Sequence, residues 1–166
     1  MSKFKNSKRE SFLIRFPSVS LDSESNNLTY RMKFNFSYFD CSQSYGEDIK
    51  ELEKEKSNKL IKKLIEFSRE NLKHWKNEKI GSGNHKNSIY VNYGDFPQHS
   101  NFKHPSYIPH QVLWGRFRLD SAVRLVGFVV SDKYDGTRHV KTGMKFDKNT
   151  FYIVFLDSEH NFYPKK

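Results

Sequence analysis

Three strand-like runs in the last third of the chain limit its fold more than any other feature of the sequence. They occupy residues 112–119, 124–130 and 151–156 and are rich in β-branched, aromatic and leucine side chains. Residues 120–122 form a short polar turn, which predicts a hairpin between the first two runs. The third run is apolar on both faces, as is typical of a central strand. The sequence therefore predicts a three-stranded antiparallel run.

The first half of the chain combines a strand pattern with a helical pattern. Residues 30–39 alternate between apolar and polar side chains, which predicts a strand with one buried face. That face is expected to comprise Met32, Phe34, Phe36 and Tyr38. Residues 48–79 change to helical spacing, with Lys and Glu opposite the apolar side. They are predicted to form one long helix or a hairpin of two helices that breaks near Ser57 and Asn58.

The order of these elements predicts a single α+β domain. An N-terminal strand followed by helices and an antiparallel run places the helices on one face of a twisted sheet. The domain is expected to span residues 31–166, which is long enough to bury a sizeable core. Residues 1–30 are expected to form an N-terminal extension or an edge strand. Residues 92–111 and 131–149 are expected to form a long ordered loop and a polar excursion.

The chain is strongly basic, with 29 Lys and Arg residues against 19 Asp and Glu residues and a formal net charge of +10. Such a balance favours a polyanionic partner, and nucleic acid comes first among these. The alternative is a lysine-rich solvated surface. Aromatic residues make up 16% of the chain, and several adjoin basic residues, a combination that can stack bases and hold phosphates. The residues expected to bind RNA are Trp114, Lys103, Lys73 and Lys76.

Arginines cluster on the predicted hairpin. The period of two puts Trp114, Arg116 and Arg118 on one sheet face, and Arg124 opens the next strand. Guanidinium groups match phosphate oxygens bidentately. His160, a residue type that titrates near neutral pH, follows the last strand. A phenol, Tyr163, lies just beyond it. This arrangement predicts a site that binds and cleaves a phosphodiester.

Several blocks of the chain resemble the RelE/YoeB-like toxins of bacterial toxin–antitoxin systems, within the RelE/ParE superfamily. The blocks are Met-Lys-Phe at residues 32–34, the lysine-rich residues 59–67, Trp-Gly-Arg-Phe-Arg at 114–118, Arg-Leu-Val-Gly-Phe at 124–128 and His-Asn-Phe-Tyr at 160–163. The chain would be a distant and enlarged member. The resemblance implies an endoribonuclease that cuts messenger RNA without a metal, usually at the ribosome. It also implies a cognate antitoxin protein that silences the enzyme.

The resemblance also implies roles for individual residues. Arg116 or Arg118 takes the place of the family's strand arginine, and Arg124 that of the arginine opening the next strand. His160 and Tyr163 take the place of the C-terminal pair, although two residues separate them here and the family pair is adjacent. The fixed cations would stabilise the phosphorane, while the histidine and the phenol transfer protons and stack a base.

The sequence offers several candidates for the general base. No glutamate lies between Lys79 and Phe155, whereas YoeB-like members place a catalytic glutamate before this strand. The base is expected among residues of the long loop, which are Asp95, His104 and His110, with Lys103 as a lysine alternative.

Two other function classes stay open. The first is a non-catalytic basic module that binds nucleic acid, or a ParE-like module that targets gyrase. The second is a protein that binds a protein partner through the long loop.

No metal or small-molecule cofactor is expected. The spacing of His99, His104 and His110 fits no zinc signature. No stretch is long enough to span a membrane, and a single cysteine suits a reducing compartment. The sequence thus favours a cytoplasmic protein without a membrane partner.

Overall fold

The computed structural model describes residues 28–81 and 87–164. The expected N-terminal extension therefore lies almost wholly outside the described residues. The helices are α1 (Lys54–Phe67) and α2 (Leu72–Asn77), with 3-10 turns at Ile49–Glu51 and Asp132–Tyr134. The strands are β1 (Lys33–Asn35), β2 (Lys79–Ile80), β3 (Asn87–Ser88), β4 (Tyr90–Gly94), β5 (Leu113–Arg118), β6 (Arg124–Val129) and β7 (Thr150–Asp157).

The main sheet has five strands in the order β1-β7-β6-β5-β4. The neighbouring strands β4 to β7 pair antiparallel, which confirms the predicted three-stranded run at β5, β6 and β7. β1 pairs with β7 in parallel, so the sheet is mixed. β4 was not predicted, because its last three residues were assigned to the long loop. β2 and β3 form a separate two-stranded sheet.

The first strand is shorter than the alternation at residues 30–39 predicts. Met32 is buried and Phe34 packs on the helix side of the sheet, as expected. The amide of Ser37 then donates to Asn35 Oδ1 at 2.9 Å, which turns the chain out of the strand. Phe36 is consequently exposed, and Tyr38 packs on the opposite side of the sheet. A single buried face through residue 38 was therefore wrong.

The helical segment breaks at residues 68–71 and not near Ser57 and Asn58, which lie within α1. Ser68 Oγ donates to the Leu64 carbonyl at 2.7 Å where α1 ends. Asn71 then caps α2 by accepting from the His74 amide at 2.8 Å. The Leu64 carbonyl thus accepts from both the amide and the hydroxyl of Ser68, and the Asn71 side chain satisfies an amide at the start of the second helix.

Each face of the sheet carries its own hydrophobic core. The helix-side core combines α1 and α2 residues with one face of the strands and includes Leu60, Leu64, Phe67, Trp75, Phe117, Leu125, Phe151 and Ile153. The opposite core combines the other face with the long loop and the C-terminal turn, and it includes Phe102, Ile108, Trp114, Val126, Phe128, Phe155 and Phe162. The long loop is thus ordered by packing.

The polar excursion between β6 and β7 folds back on itself. Arg138 and Lys145 form an isolated antiparallel bridge, and Gly136 donates its amide to the Phe146 carbonyl at 2.9 Å. Across the described part of the chain, no helix is both long and apolar enough to cross a membrane.

Candidate functional site

The hairpin of β5 and β6 delivers the arginines to one place. Arg118 lies opposite Arg124 in the strand register, and Arg116 lies opposite Val126. These positions share the face that is turned away from the helices. Trp114 lies on that same face, as predicted, but it is only 1% exposed and packs in the opposite core. Base stacking on Trp114 is therefore corrected to a core role.

An open cleft of about 570 Å³ lies beside the arginines. It is lined by Gly81, Asn87, Tyr93, Arg116, Arg118, Ser121, Arg124, Val126, Asp157, His160, Phe162 and Tyr163. We call this feature the arginine cleft. It brings together all five residues predicted to be catalytic, from β5, β6 and the segment after β7.

Arg124 is buried, and its guanidinium is committed to the protein. Nη1 donates to the carbonyls of Asp120 and Val123 at 3.1 and 3.0 Å, and Nη2 donates to the Ser121 carbonyl at 3.2 Å. Burial and the nearby charges of Arg116 and Arg118 lower the pKa of Arg124 to about 10, so it remains charged at neutral pH. These bonds fix the turn between β5 and β6.

Arg116 and Arg118 are less committed. Arg118 donates from Nε to the Asp120 carbonyl at 2.9 Å, and Arg116 donates from Nε to Tyr93 Oη at 3.3 Å. Arg116 Nη1 is buried and has no hydrogen-bond partner among the described residues. Such a group is unusual, because buried polar atoms are normally paired. Within the described structure, the two guanidiniums therefore keep unpaired donors beside the cleft.

His160 is positioned by a buried carboxylate. Asp157 is fully buried, and its Oδ1 accepts from the amides of Glu159 and Asn161 at 3.2 and 3.0 Å, on either side of His160. His160 itself has a left-handed backbone with φ of 61°, a strained conformation for a non-glycine residue. The turn that Asp157 holds together thus directs His160 to the cleft.

Arg124 also contacts His160, with 3.3 Å between Nη2 and Nε2. A guanidinium can only donate, so Nε2 of the imidazole accepts in this contact. The contact places the positive charge of Arg124 against the imidazole ring.

Two tyrosines form the wall of the cleft. The rings of Tyr93 and Tyr163 stack with their centroids 4.8 Å apart and their planes within 4° of parallel. Tyr163 is 56% exposed, and Tyr93 contacts Arg116 through its hydroxyl. The stack therefore joins an aromatic surface to the cationic part of the cleft.

The lysines predicted to bind RNA lie elsewhere. Lys73 and Lys76 line a depression between α2 and the strand edge, which shares no residue with the arginine cleft. Lys103 is exposed, and its backbone is tied to Gln43 by hydrogen bonds of 2.8 and 2.9 Å. The structure does not bring these three residues to the arginines.

The residues proposed as general base are not in the cleft either. His104 stacks on His110 with 4.6 Å between ring centroids and contacts Trp114, so both belong to the long loop over the opposite core. Burial, together with the charge of His110, lowers the pKa of His104. Asp95 lies in a depression next to the cleft, on the border formed by Tyr93 and Tyr163. Neither histidine lines the arginine cleft.

The cleft residues that sequence reasoning missed include Tyr93, Ser121 and Asp157. The run from Ile89 to Tyr93, rich in β-branched and aromatic residues, was a usable strand signal. Pairing of that strand with β5 would have placed Tyr93 near the arginines. The role of Asp157 depends on the shape of one turn and leaves no comparable pattern.

Within residues 28–81 and 87–164, no group of three or more His, Cys, Asp or Glu side chains is arranged to hold a metal ion. No family model, curated protein or solved structure matches the chain. The fixed cations of the arginine cleft suit a phosphate, and its histidine and phenols are groups that can exchange protons.

Proposed function

We propose that the chain is a metal-independent endoribonuclease toxin of RelE-like architecture, which cleaves messenger RNA in association with the ribosome and is neutralised by a cognate antitoxin. The convergence of Arg116, Arg118, Arg124, His160 and Tyr163 on one cleft carries the proposal. The helices on one sheet face and the cleft on the other also agree with that architecture.

The reaction would be a transesterification within the RNA chain. The 2′-oxygen attacks the adjacent phosphorus and loses its proton to a base, and the 5′-oxygen leaves with a proton from an acid. The products are a 2′,3′-cyclic phosphate and a free 5′-hydroxyl. Arg116 and Arg118 would bind the phosphate oxygens and stabilise the charge that they gain in the transition state.

Arg124 would act mainly through His160. Its donors hold the turn and His160 Nε2, so this arginine positions the histidine more than it binds phosphate. His160 is the proposed proton-transfer group, with the phenols of Tyr93 and Tyr163 as its nearest alternatives in the cleft. Tyr163 would also stack a base.

The proposed antitoxin needs an apolar surface to dock on. Ile61 and Ile65 lie one turn apart on α1 and are 53% and 54% exposed. An exposed isoleucine pair on a charged helix is consistent with a protein partner there.

A second candidate is a basic module that binds nucleic acid or targets gyrase without cutting RNA. The observation in its favour is that the described lining of the arginine cleft offers no carboxylate that can act as a general base. Asp157 is the one carboxylate in that lining. Its oxygens accept three backbone amides and are fully buried, so Asp157 is not available as a general base.

Expression of the protein alone in bacteria tests the proposal. We expect the wild type to arrest growth, and Arg118→Ala or His160→Ala to relieve the arrest because each removes a group that acts on the phosphodiester. Lys62→Ala removes one exposed charge from α1 and should arrest growth like the wild type. Arrest that both cleft variants retain in full contradicts the ribonuclease proposal, and absence of arrest by the wild type favours the binding module.

A further inference from the structure

A second depression adjoins the arginine cleft and has the opposite character. It has a volume of about 730 Å³ and shares Tyr93 and Tyr163 with the cleft. Asp95 is the one residue among its described lining that carries a full charge when histidine is neutral. We call it the Asp95 pocket.

We infer that the Asp95 pocket binds a guanine base whose own or neighbouring phosphate lies in the arginine cleft. This inference rests on the proposed function, since it names the nucleotide that the cleft and the pocket hold together. The two depressions share Tyr93 and Tyr163 in their lining, so they are adjacent.

The charges of the two depressions favour different parts of a nucleotide, the phosphate in one and a neutral group in the other. The arginine cleft carries the positive charges of three guanidiniums, and those of Arg116 and Arg118 keep donors for a phosphate. The carboxylate of Asp95 repels a phosphate and accepts hydrogen bonds only. A neutral group that is rich in donors therefore fits the pocket better than a second phosphate does.

The aromatic border favours a base among the neutral groups. Tyr163 is 56% exposed, and its ring is already held in place by the stack with Tyr93. Unpaired bases of RNA bind by stacking on aromatic side chains while their Watson–Crick edges meet polar groups. The exposed side chains of Gln98 and His99 line the same pocket and add polar groups around such a base.

The carboxylate selects guanine among the four bases. Guanine presents two neighbouring donors, N1–H and the N2 amino group, and a carboxylate can accept both with its two oxygens. Adenine and cytosine present one amino group beside a ring nitrogen that is itself an acceptor. Uracil presents one N–H between two carbonyls. Each of these three bases would place an acceptor against the carboxylate.

The backbone before Asp95 fixes its position. Gly94 ends β4 with φ of 77°, a left-handed conformation that glycine adopts without a Cβ penalty. The Gly94 amide donates to Asn92 Oδ1 at 2.8 Å, and the register with β5 shifts between these two residues. The chain thus leaves the edge strand through a defined turn, which carries Asp95 to the pocket.

Binding of short oligonucleotides to the full chain tests the inference without requiring cleavage. The probes are fluorescent 2′-O-methyl pentanucleotides of uridine in which the central base is guanine, hypoxanthine, adenine or uracil. We expect wild-type protein to bind the guanine probe about tenfold more tightly than the others, including hypoxanthine, which lacks only the N2 amino group. Asp95→Asn should reduce that preference to within about twofold and leave uridine binding intact.

Two controls separate the failure of the pocket from the failure of the cleft. Glu51→Gln removes an exposed carboxylate from the 3-10 turn and should keep the guanine preference. Arg118→Ala should weaken the binding of all four probes by a similar factor. Equal binding of all bases by the wild type, or a preference that survives in Asp95→Asn, overturns the inference and leaves the proposed function standing. Absence of binding of every probe by the wild type also overturns the inference, and cleavage of messenger RNA on the ribosome then decides the proposed function separately.

Discussion

At the scale of single residues, the site depends on side chains that arrange other side chains. Asp157 accepts the amides of Glu159, Asn161 and Phe162, and the strained backbone of His160 lies inside that turn. A carboxylate that is removed from water is stabilised here by backbone donors. Its contribution is to hold one conformation of the C-terminal segment, and His160 depends on that conformation.

Replacement of this carboxylate should destabilise the protein. Asp157→Asn puts an amide group where three backbone N–H groups need acceptors, so at least one buried donor loses its partner. We expect a loss of about 2–3 kcal/mol in the free energy of unfolding, measured by denaturant titration. Asp132→Asn makes the same change at a carboxylate that is 88% exposed and paired with Lys148, and it should cost less than about 0.5 kcal/mol. Equal losses in the two variants would show that Asp157 does not hold the turn.

The sequence predicted which face carries the arginines but not which part of that face stays open. The period of two correctly grouped Trp114 with Arg116 and Arg118, because alternation is a local property of a strand. It could not show that Phe96 and Phe162 cover Trp114, since both come from other segments of the chain. The same limit explains why His104 and His110 were considered for a site from which they are absent.

At the scale of elements, the turn between β5 and β6 controls the cleft. The Asp120 carboxylate accepts from the amides of Ala122 and Val123 at 2.9 and 3.0 Å. The Asp120 carbonyl accepts from Arg118 and Arg124. This one residue therefore joins the turn to two of the three arginines.

The turn should make stability depend on pH. Burial favours the neutral form of Asp120, but the two amides and the charges of Arg124 and Lys59 outweigh it and hold its pKa below the ordinary value of 3.8. The stabilisation is complete above 3.8 and disappears as the pH falls through the lower folded-state pKa. Asp120→Ala should cost about 1 kcal/mol near neutral pH, and thermal melts should show the cost shrinking in acid. A cost that stays constant into strong acid would mean that the charge of Asp120 does not contribute.

Helices and strands were predicted correctly where the hydrophobic pattern was long. The prediction failed where single polar residues determine the end of an element. The three C-terminal strands were predicted because each strand-like run exceeds five residues and polar segments bound it. The break between the helices was placed wrongly, because Ser68 and Asn71 end one helix and begin the next without a glycine or proline to mark them. β4 was missed because glycine and the prolines that follow it made the segment resemble a loop.

At the scale of the whole molecule, the helices and the arginine cleft lie on opposite faces of the sheet. One face packs against α1 and α2, while the other is half covered by the long loop and half open as the arginine cleft. The α+β class followed from the order of the elements. The parallel pairing of β1 with β7 did not, because it joins residues 33–35 to residues 150–152 across the chain. Contacts of such separation leave no signal in local spacing.

The chemistry of RNA cleavage tests the central claim most directly. In one arm, purified protein is mixed with a messenger RNA that ribosomes are translating, and the new RNA ends are identified. In a second arm without ribosomes, free RNA is incubated with the protein in the presence and absence of a chelator of divalent metals. We predict cleavage that yields 2′,3′-cyclic phosphate ends. If the protein also cuts free RNA, the chelator should not reduce that cleavage. Arg118→Ala and His160→Ala should slow it at least about 100-fold, and Lys62→Ala should change it less than about twofold. Absence of cleavage by the wild type, or unchanged rates in both cleft variants, would contradict the assignment of the arginine cleft as a phosphodiester-cleaving site.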